Sequence, residues 1–204
     1  MSGRGYLIVI EGIDQSGKKT QSLLLEERIR REGWDVTGIS FPDYSTPIGR
    51  EIKKTLNAKG STSPLQILHM LLAANRWERK NELTSWLTGG KIVVANRYSP
   101  SNLAYGTSRG FDQDWLQNLE SGLPDPDLVI VLDIDPTTST TRKYQDRDLN
   151  ERDIELLTNV SISYKKMAEL NGWFIISGDD TVERIHEEIW AVVKGFFERI
   201  DPEK

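Results

Sequence analysis

The stretch Gly12-Ile13-Asp14-Gln15-Ser16-Gly17-Lys18 has the residue types and spacing to hold a polyphosphate. Glycine at both ends lets the backbone take conformations that side chains forbid. Main-chain N–H groups from Gly12 through Gln15, Ser16 and Gly17 to Lys18, Lys19 and Thr20 can then converge on phosphate oxygens. The positive end of the helix that follows adds to the attraction. Lys18 is placed to reach the β- and γ-phosphates of a nucleoside triphosphate. A glycine-rich corner between strand and helix is the competing reading, but strand, spacing, lysine and helix all agree on a phosphate loop. One position departs from the pattern. Lys19 stands where a Ser or Thr would ligate Mg2+, and Thr20 comes one place late. The guanine-reading run Asn-Lys-x-Asp is absent, which speaks against a GTPase.

Two further groups could act on phosphate. Arg97 follows a buried apolar run and could clamp a phosphate with both arms of its guanidinium; a surface ion pair is the plainer alternative. The segment 142–153 is dense in charge and carries Arg142 and Arg147. Such a run is often only a solvated helix face. Its place between a strand and the next helix favours a short lid that brings arginines over the phosphates.

Five short apolar runs could position these groups: Tyr6–Ile10, Asp35–Phe41, Lys91–Ala95, Leu128–Asp133 and Trp173–Ser177. Continuous Val, Ile and Leu mark strands buried on both faces. Helical patterns separate them, which predicts an α/β, three-layer fold: a five-stranded parallel sheet with helices on both faces. Thr46-Pro47 opens a short helix, Ser63-Pro64 a long one that stops at Gly89-Gly90, and Asp135-Pro136 another. Asp112 caps a helix that Gly122 ends, Gly172 closes the one before the last strand, and Asp180 with Glu183 reads as a capping box. Ligands of such sheets bind beyond the carboxyl ends of the strands. The phosphate loop, Phe41-Pro42-Asp43-Tyr44, Asn96-Arg97-Tyr98 and the basic stretch after Asp133 should therefore share one cleft.

With 204 residues and no linker, repeat or low-complexity tract, the chain reads as one domain over 1–204. A net charge of −5 argues against a general nucleic-acid coat. The absence of cysteine excludes disulfides, thiol chemistry and Cys-bound zinc, and agrees with a cytoplasmic setting. No run is long enough for a signal peptide or a membrane span. The helix through Leu65, Leu68, Met70, Leu71, Leu72 and Ala73 is apolar nearly all round. Its second side predicts a homodimer partner. His69 and His186 read as structural.

The motifs resemble those of thymidylate kinases over nearly the full length. The matching segments are Glu11-Gly12-Ile13-Asp14 with Gly17-Lys18, Phe41-Pro42 with Ser45-Thr46-Pro47-Ile48-Gly49, and Ala74-Asn75-Arg76-Trp77-Glu78. Asn96-Arg97-Tyr98, Gly122-Leu123-Pro124, Pro126-Asp127-Leu128 and Asp146-Arg147 follow. The Asp-Tyr-Ser-Thr-Pro version with Lys-Lys-Thr-Gln looks most like archaeal members. The resemblance implies a P-loop kinase fold and transfer of the ATP γ-phosphoryl group to dTMP, with Mg2+, in a homodimer. It implies that Asp14 accepts from the deoxyribose 3′-hydroxyl, Arg76 meets the thymine edge and Arg97 binds the acceptor phosphate. Phe41, Pro42 and Leu72 would line the same pocket, and Tyr105 would wall the sugar. Arg142 and Arg147 would stabilise charge in flight, because Gln15 stands where some members place an arginine. The Asp179-Asp180 turn would lie beside adenine.

The chain also departs from the family. Asn96 replaces an Asp that helps to hold the metal's water shell, and Lys19 removes a hydroxyl ligand, as a related Lys-Gly-Thr-Gln run does in adenylate kinases. Either Lys19 then supplies part of the metal's charge near the β-phosphate, or Mg2+ is held through phosphates and waters, with Asn96 as a candidate contact. Leu72 replaces a stacking Phe, and Tyr44 an Arg that grips the acceptor phosphate. A broader pyrimidine monophosphate kinase and a non-catalytic nucleotide sensor are the alternatives.

Overall fold

The Val, Ile and Leu runs of the sequence assemble into one parallel sheet. The computed structural model describes residues 4–57, 64–142 and 153–200. Strands β1 (Tyr6–Gly12), β2 (Val36–Ser40), β3 (Ile92–Asn96), β4 (Leu128–Asp133) and β5 (Phe174–Ser177) lie in the order β2-β3-β1-β4-β5. Each pairing is parallel, with Tyr6 opposite Ile92 and Ile8 opposite Leu128 across the central strand. The chain order reverses across β1, so the loop after β1 opens into the crevice where such sheets take ligands.

Side-chain alternation divides the core in two. Leu7, Val9, Val93 and Val131 face α5 (Ser99–Ser108) and α8 (Ile154–Asn171), which bring Tyr105, Leu157 and Tyr164. Ile8, Ile10, Val94 and Ile130 face α1 (Lys18–Arg31) and α9 (Val182–Ile200), which bring Leu25, Ile189 and Phe197. Leu7 through Ile10 are fully buried, because helices cover both faces; that is why β1 reads as an unbroken apolar run.

The expected helix starts hold at several points. Thr46 Oγ1 accepts from the Gly49 N–H at 3.0 Å where α2 (Pro47–Asn57) begins. Asp112 Oδ1 accepts from the Trp115 N–H at 2.8 Å at α6 (Gln113–Glu120), and Gly172 closes α8 at φ 66°. Asp135 Oδ1 accepts from the Thr137 N–H at 2.7 Å beside α7 (Pro136–Arg142).

Two expectations need correction. The long helix to Gly89 is two helices, α3 (Leu65–Glu78) and α4 (Lys80–Thr88), broken at Arg79. There the turn tightens, with the Arg79 N–H bonded to the Arg76 carbonyl at 3.1 Å. The break lets the halves serve different cores: Leu68 packs with Ile52 and Leu56, whereas Leu83 and Leu87 join the sheet. At α9 the cap is Thr181, whose Oγ1 accepts from the Arg184 N–H at 3.3 Å, one residue later than Asp180. Asp180 instead accepts from the Thr181 N–H at 2.6 Å.

Candidate functional site: two cavities around a phosphate loop

Beyond Gly12 the chain makes the turn that its glycines permit. Gly12 sits at φ 140°, and a Cβ there would lie 2.4 Å from the Leu132 carbonyl oxygen. Gly17, at φ 93°, opens α1 with no side chain capping the helix. That uncapped start is the end of the helix where the dipole favours an anion. Gln15 also holds a left-handed φ of 59°. Lys18 is buried; its ammonium donates to the Ile13 carbonyl and, at 3.2 Å, to Ser16 Oγ. The lysine's ammonium thus rests on its own loop.

A cavity of about 650 Å³ lies over this loop. Gln15, Ser16, Gly17, Lys18, Lys19 and Thr20 form one side. Asn96 and Arg97 close it at β3, and Gly178, Asp180 and Val182 bound it beyond β5. A second cavity, of about 90 Å³, is lined by Phe41, Pro42, Tyr44, Leu72, Arg76 and Tyr105 among others. The residues assigned to the acceptor from sequence thus come together in one place. Asp14 and Arg97 line both cavities. A larger space of about 1040 Å³ between α5, α6 and α8 contains no phosphate-loop residue; its size does not make it the site.

The shared wall is a tight ionic cluster. Arg97 Nη2 donates to Asp14 Oδ1 at 2.5 Å, and Nη1 donates to the Gly12 carbonyl at 3.1 Å and to Ser101 Oγ at 3.2 Å. The Tyr105 hydroxyl donates to Asp14 Oδ2 at 2.8 Å. Burial pushes the Asp14 carboxyl up, but Arg97, Lys18 and Tyr105 outweigh it and hold it below the ordinary carboxylate range. Burial and the neighbouring carboxylate push the Tyr105 hydroxyl well up, so it stays a donor. Arg97 itself has φ 65°, a strained value for a side-chain-bearing residue.

Glu11 shows what holds Arg97 there. Its carboxylate is fully buried and accepts from the Tyr98 N–H at 2.8 Å, the Ser101 N–H at 3.2 Å and the Tyr164 hydroxyl at 2.8 Å. It ties β1 to the turn carrying Arg97 and to α8. Sequence reasoning gave Glu11 no role, although a carboxylate inside an apolar strand signals that partners must exist. It also missed Glu120. The guanidinium of Arg76 donates through Nε to Glu120 Oε2 at 2.8 Å and through Nη2 to Oε1, both residues largely buried. Glu78, on the same helix, accepts from the Asn75 amide at 3.0 Å.

Side chains of Arg142 and Arg147 lie outside the described residues, with the backbone of Arg142 closing α7. No group of three His, Cys, Asp or Glu side chains that could hold a metal forms among the described residues. The carbonyl oxygen of Asn96 is buried and has no hydrogen-bond partner among them, while its amide donates to Ser40 Oγ at 3.2 Å. That orphaned acceptor, on a residue lining the cavity over the loop, suits a water of a Mg2+ shell.

Comparison with known proteins agrees with this geometry. A family model described as thymidylate kinase matches residues 10–189. The thymidylate kinase of Plasmodium falciparum is 34% identical over 202 residues, covering 98% of this chain and 94% of that one. A probable thymidylate kinase of Pyrococcus abyssi is 38% identical over 199 residues, covering 94% and 97%. A solved thymidylate kinase from Candida albicans, a protein described as having broad substrate specificity, superposes with a TM-score of 0.84. It is 29% identical and the match covers 94% of this chain and 92% of that one. Similarity that runs nearly end to end, on a shared fold, places this chain in the thymidylate kinase family, whose members are nucleoside monophosphate kinases.

Proposed function

We propose that the protein transfers the γ-phosphoryl group of ATP to dTMP, giving dTDP and ADP on the way to dTTP. The observation that carries this reading is that Asp14 and Arg97 line both cavities. A donor held on the phosphate loop and an acceptor in the second cavity would meet at these two residues. Phosphoryl transfer of this kind needs positioning and charge, with no covalent intermediate on the protein.

In this reading Lys18 leaves the Ile13 carbonyl for the β/γ-phosphates and follows the γ-group. Arg97 grips the acceptor phosphate, and Asp14 takes the 3′-hydroxyl of the sugar that Tyr105 walls. Arg76 faces the base, with Phe41, Pro42 and Leu72 around it. Arg142 and Arg147 neutralise charge as the group moves. Mg2+, when bound, supplies positive charge to the donor phosphates; Asn96 would hold a water of its shell, and Lys19 would contribute charge alongside. The exposed stripe Ile67, Met70 and Trp77 on α3, between 39% and 46% accessible, supports a homodimer through that helix. The chain acts as one domain in the cytoplasm, and no described helix is long and apolar enough to cross a membrane.

Leu72 and Tyr44 at the acceptor cavity favour a second reading, a kinase that also accepts other pyrimidine monophosphates. An acceptor panel of dTMP, dUMP, dCMP and UMP with ATP, run with and without Mg2+, tests both. Turnover of dTMP at roughly 1–100 s⁻¹ and well above the others is expected. Equal turnover of all four selects the broad kinase, and no transfer to any of them refutes the assignment.

A further inference from the structure

A buried polar chain runs behind the acceptor cavity and joins Arg76, Glu120, Asn102, His69 and Arg109. His69 and Asn102 are almost wholly buried. The imidazole Nδ1 lies 2.7 Å from Asn102 Oδ1, and Arg109 Nη1 lies 3.3 Å from Nε2. The Asn102 amide nitrogen donates to the His69 carbonyl at 3.2 Å and to Glu120 Oε1 at 2.7 Å. Phe111 meets the imidazole edge-on at a centroid distance of 5.2 Å.

These contacts admit one consistent set of protons. A guanidinium only donates, so Nε2 must accept from Arg109 and the ring proton sits on Nδ1. Nδ1 then donates to Oδ1, which leaves the amide nitrogen facing two acceptors, as it must. With the proton on Nε2 instead, the amide would have to flip. Its oxygen would then face the Glu120 carboxylate and the His69 carbonyl, acceptor against acceptor. A charged imidazole would face Arg109. Burial pushes the His69 pKa down to about 4, so the ring is neutral at pH 7.

Both amide hydrogens of Asn102 are therefore spent inside the protein. What the amide can offer an occupant is its carbonyl oxygen alone, beside the donor-only guanidiniums of Arg76 and Arg109, all on one cavity. That set complements a base edge reading acceptor–donor–acceptor, as thymine and uracil present with O4, N3–H and O2. Cytosine presents an amine and an unprotonated N3 there instead. Resting on the proposed function, we infer that His69 is a positioning residue that selects thymine-type bases over cytosine by fixing the Asn102 carbonyl as an acceptor. It touches no substrate and acts through Asn102 and Arg109.

The test compares kcat/KM for dTMP and dCMP in the full chain, with ATP, for the wild type, His69→Phe and His69→Gln. Phenylalanine removes both ring contacts and frees the amide to turn. The preference for dTMP over dCMP should then fall at least about tenfold, the scale of one mispaired buried polar group. Glutamine can donate and accept at similar positions and should keep the preference within about threefold of wild type. A merely structural role would lower both acceptors alike, so an unchanged ratio in a folded His69→Phe protein overturns the inference. Nitrogen-15 NMR of the wild-type imidazole decides independently if that variant does not fold. The Nδ1–H form at pH 7 is expected; the Nε2–H form or an imidazolium overturns the inference. A wild type that phosphorylates neither nucleotide would count against the proposed function, while the NMR result would still decide the fate of the His69 network.

Discussion

The carboxylate of Asp14 and the guanidinium of Arg97 meet at 2.5 Å in the wall that two cavities share. The pair joins the loop after β1 to the turn after β3. In the proposed reading an acceptor phosphate would meet Arg97 already aimed and would share it with Asp14. Preorganised charge of this kind does not have to reorient during the reaction.

Asp14→Asn should raise the KM for dTMP and change the acid stability of the protein. The folded pKa of Asp14 lies below its ordinary value of 3.8. Its contribution is thus complete above that value and is lost as the pH falls through the lower folded one. Wild type should exceed the variant in urea stability at pH 6, and the gap should close as the pH drops below 3.8. A gap that stays constant over that range would mean that the carboxylate charge plays no part.

Lys18→Ala should cut turnover by roughly 10²-fold or more, the loss typical of one preorganised charge donor. The fold should survive, because the lysine's hydrogen bonds to the Ile13 carbonyl and Ser16 Oγ stay within its own loop. Circular dichroism with a coupled assay separates the two effects. A fall of less than threefold contradicts the role given to it.

Glu120→Ala removes the partner of a guanidinium that is only 3% exposed. Breaking a buried ion pair from one side costs about 3–5 kcal/mol, because the remaining charge is left uncompensated. Urea unfolding should show a loss of that size and thymidylate affinity should fall with it. A loss below about 1 kcal/mol would show that Arg76 finds another anion or water.

Leu72→Phe should tighten dTMP. Leu72 lines the acceptor cavity, and an aromatic ring stacked on the base is worth about 1 kcal/mol, a factor of about five in KM. Michaelis curves for dTMP check it. A raised KM would show that the added ring crowds the cavity.

Much of the fold was legible because buried parallel strands write themselves as continuous apolar runs, and each expected strand end lies within two residues of the observed one. The break at Arg79 was not legible: no Gly or Pro marks it, and its cause is tertiary. Local motifs gave the phosphate loop and Arg97, since spacing within a loop is a sequence property. The Arg76–Glu120 pair spans 44 residues and the His69–Asn102 pair 33, so neither leaves a pattern that short-range reading can find. Glu11 was the one missed residue with a signal, a charge inside β1 that demanded explaining.

The contact between position 12 and the Leu132 carbonyl bears on how this loop can diverge. A single methyl there would collide with the neighbouring strand's backbone at 2.4 Å, so β1 and β4 could not stay paired. Position 17 has open space and is restricted only by its φ of 93°. Drift is thus barred at one hinge and discouraged at the other, while the exposed positions just after the second, Lys19 and Thr20, remain open to change. Lys19, exposed in the first turn of α1, carries neither restriction, whereas Gln15 is held by its own left-handed φ of 59°.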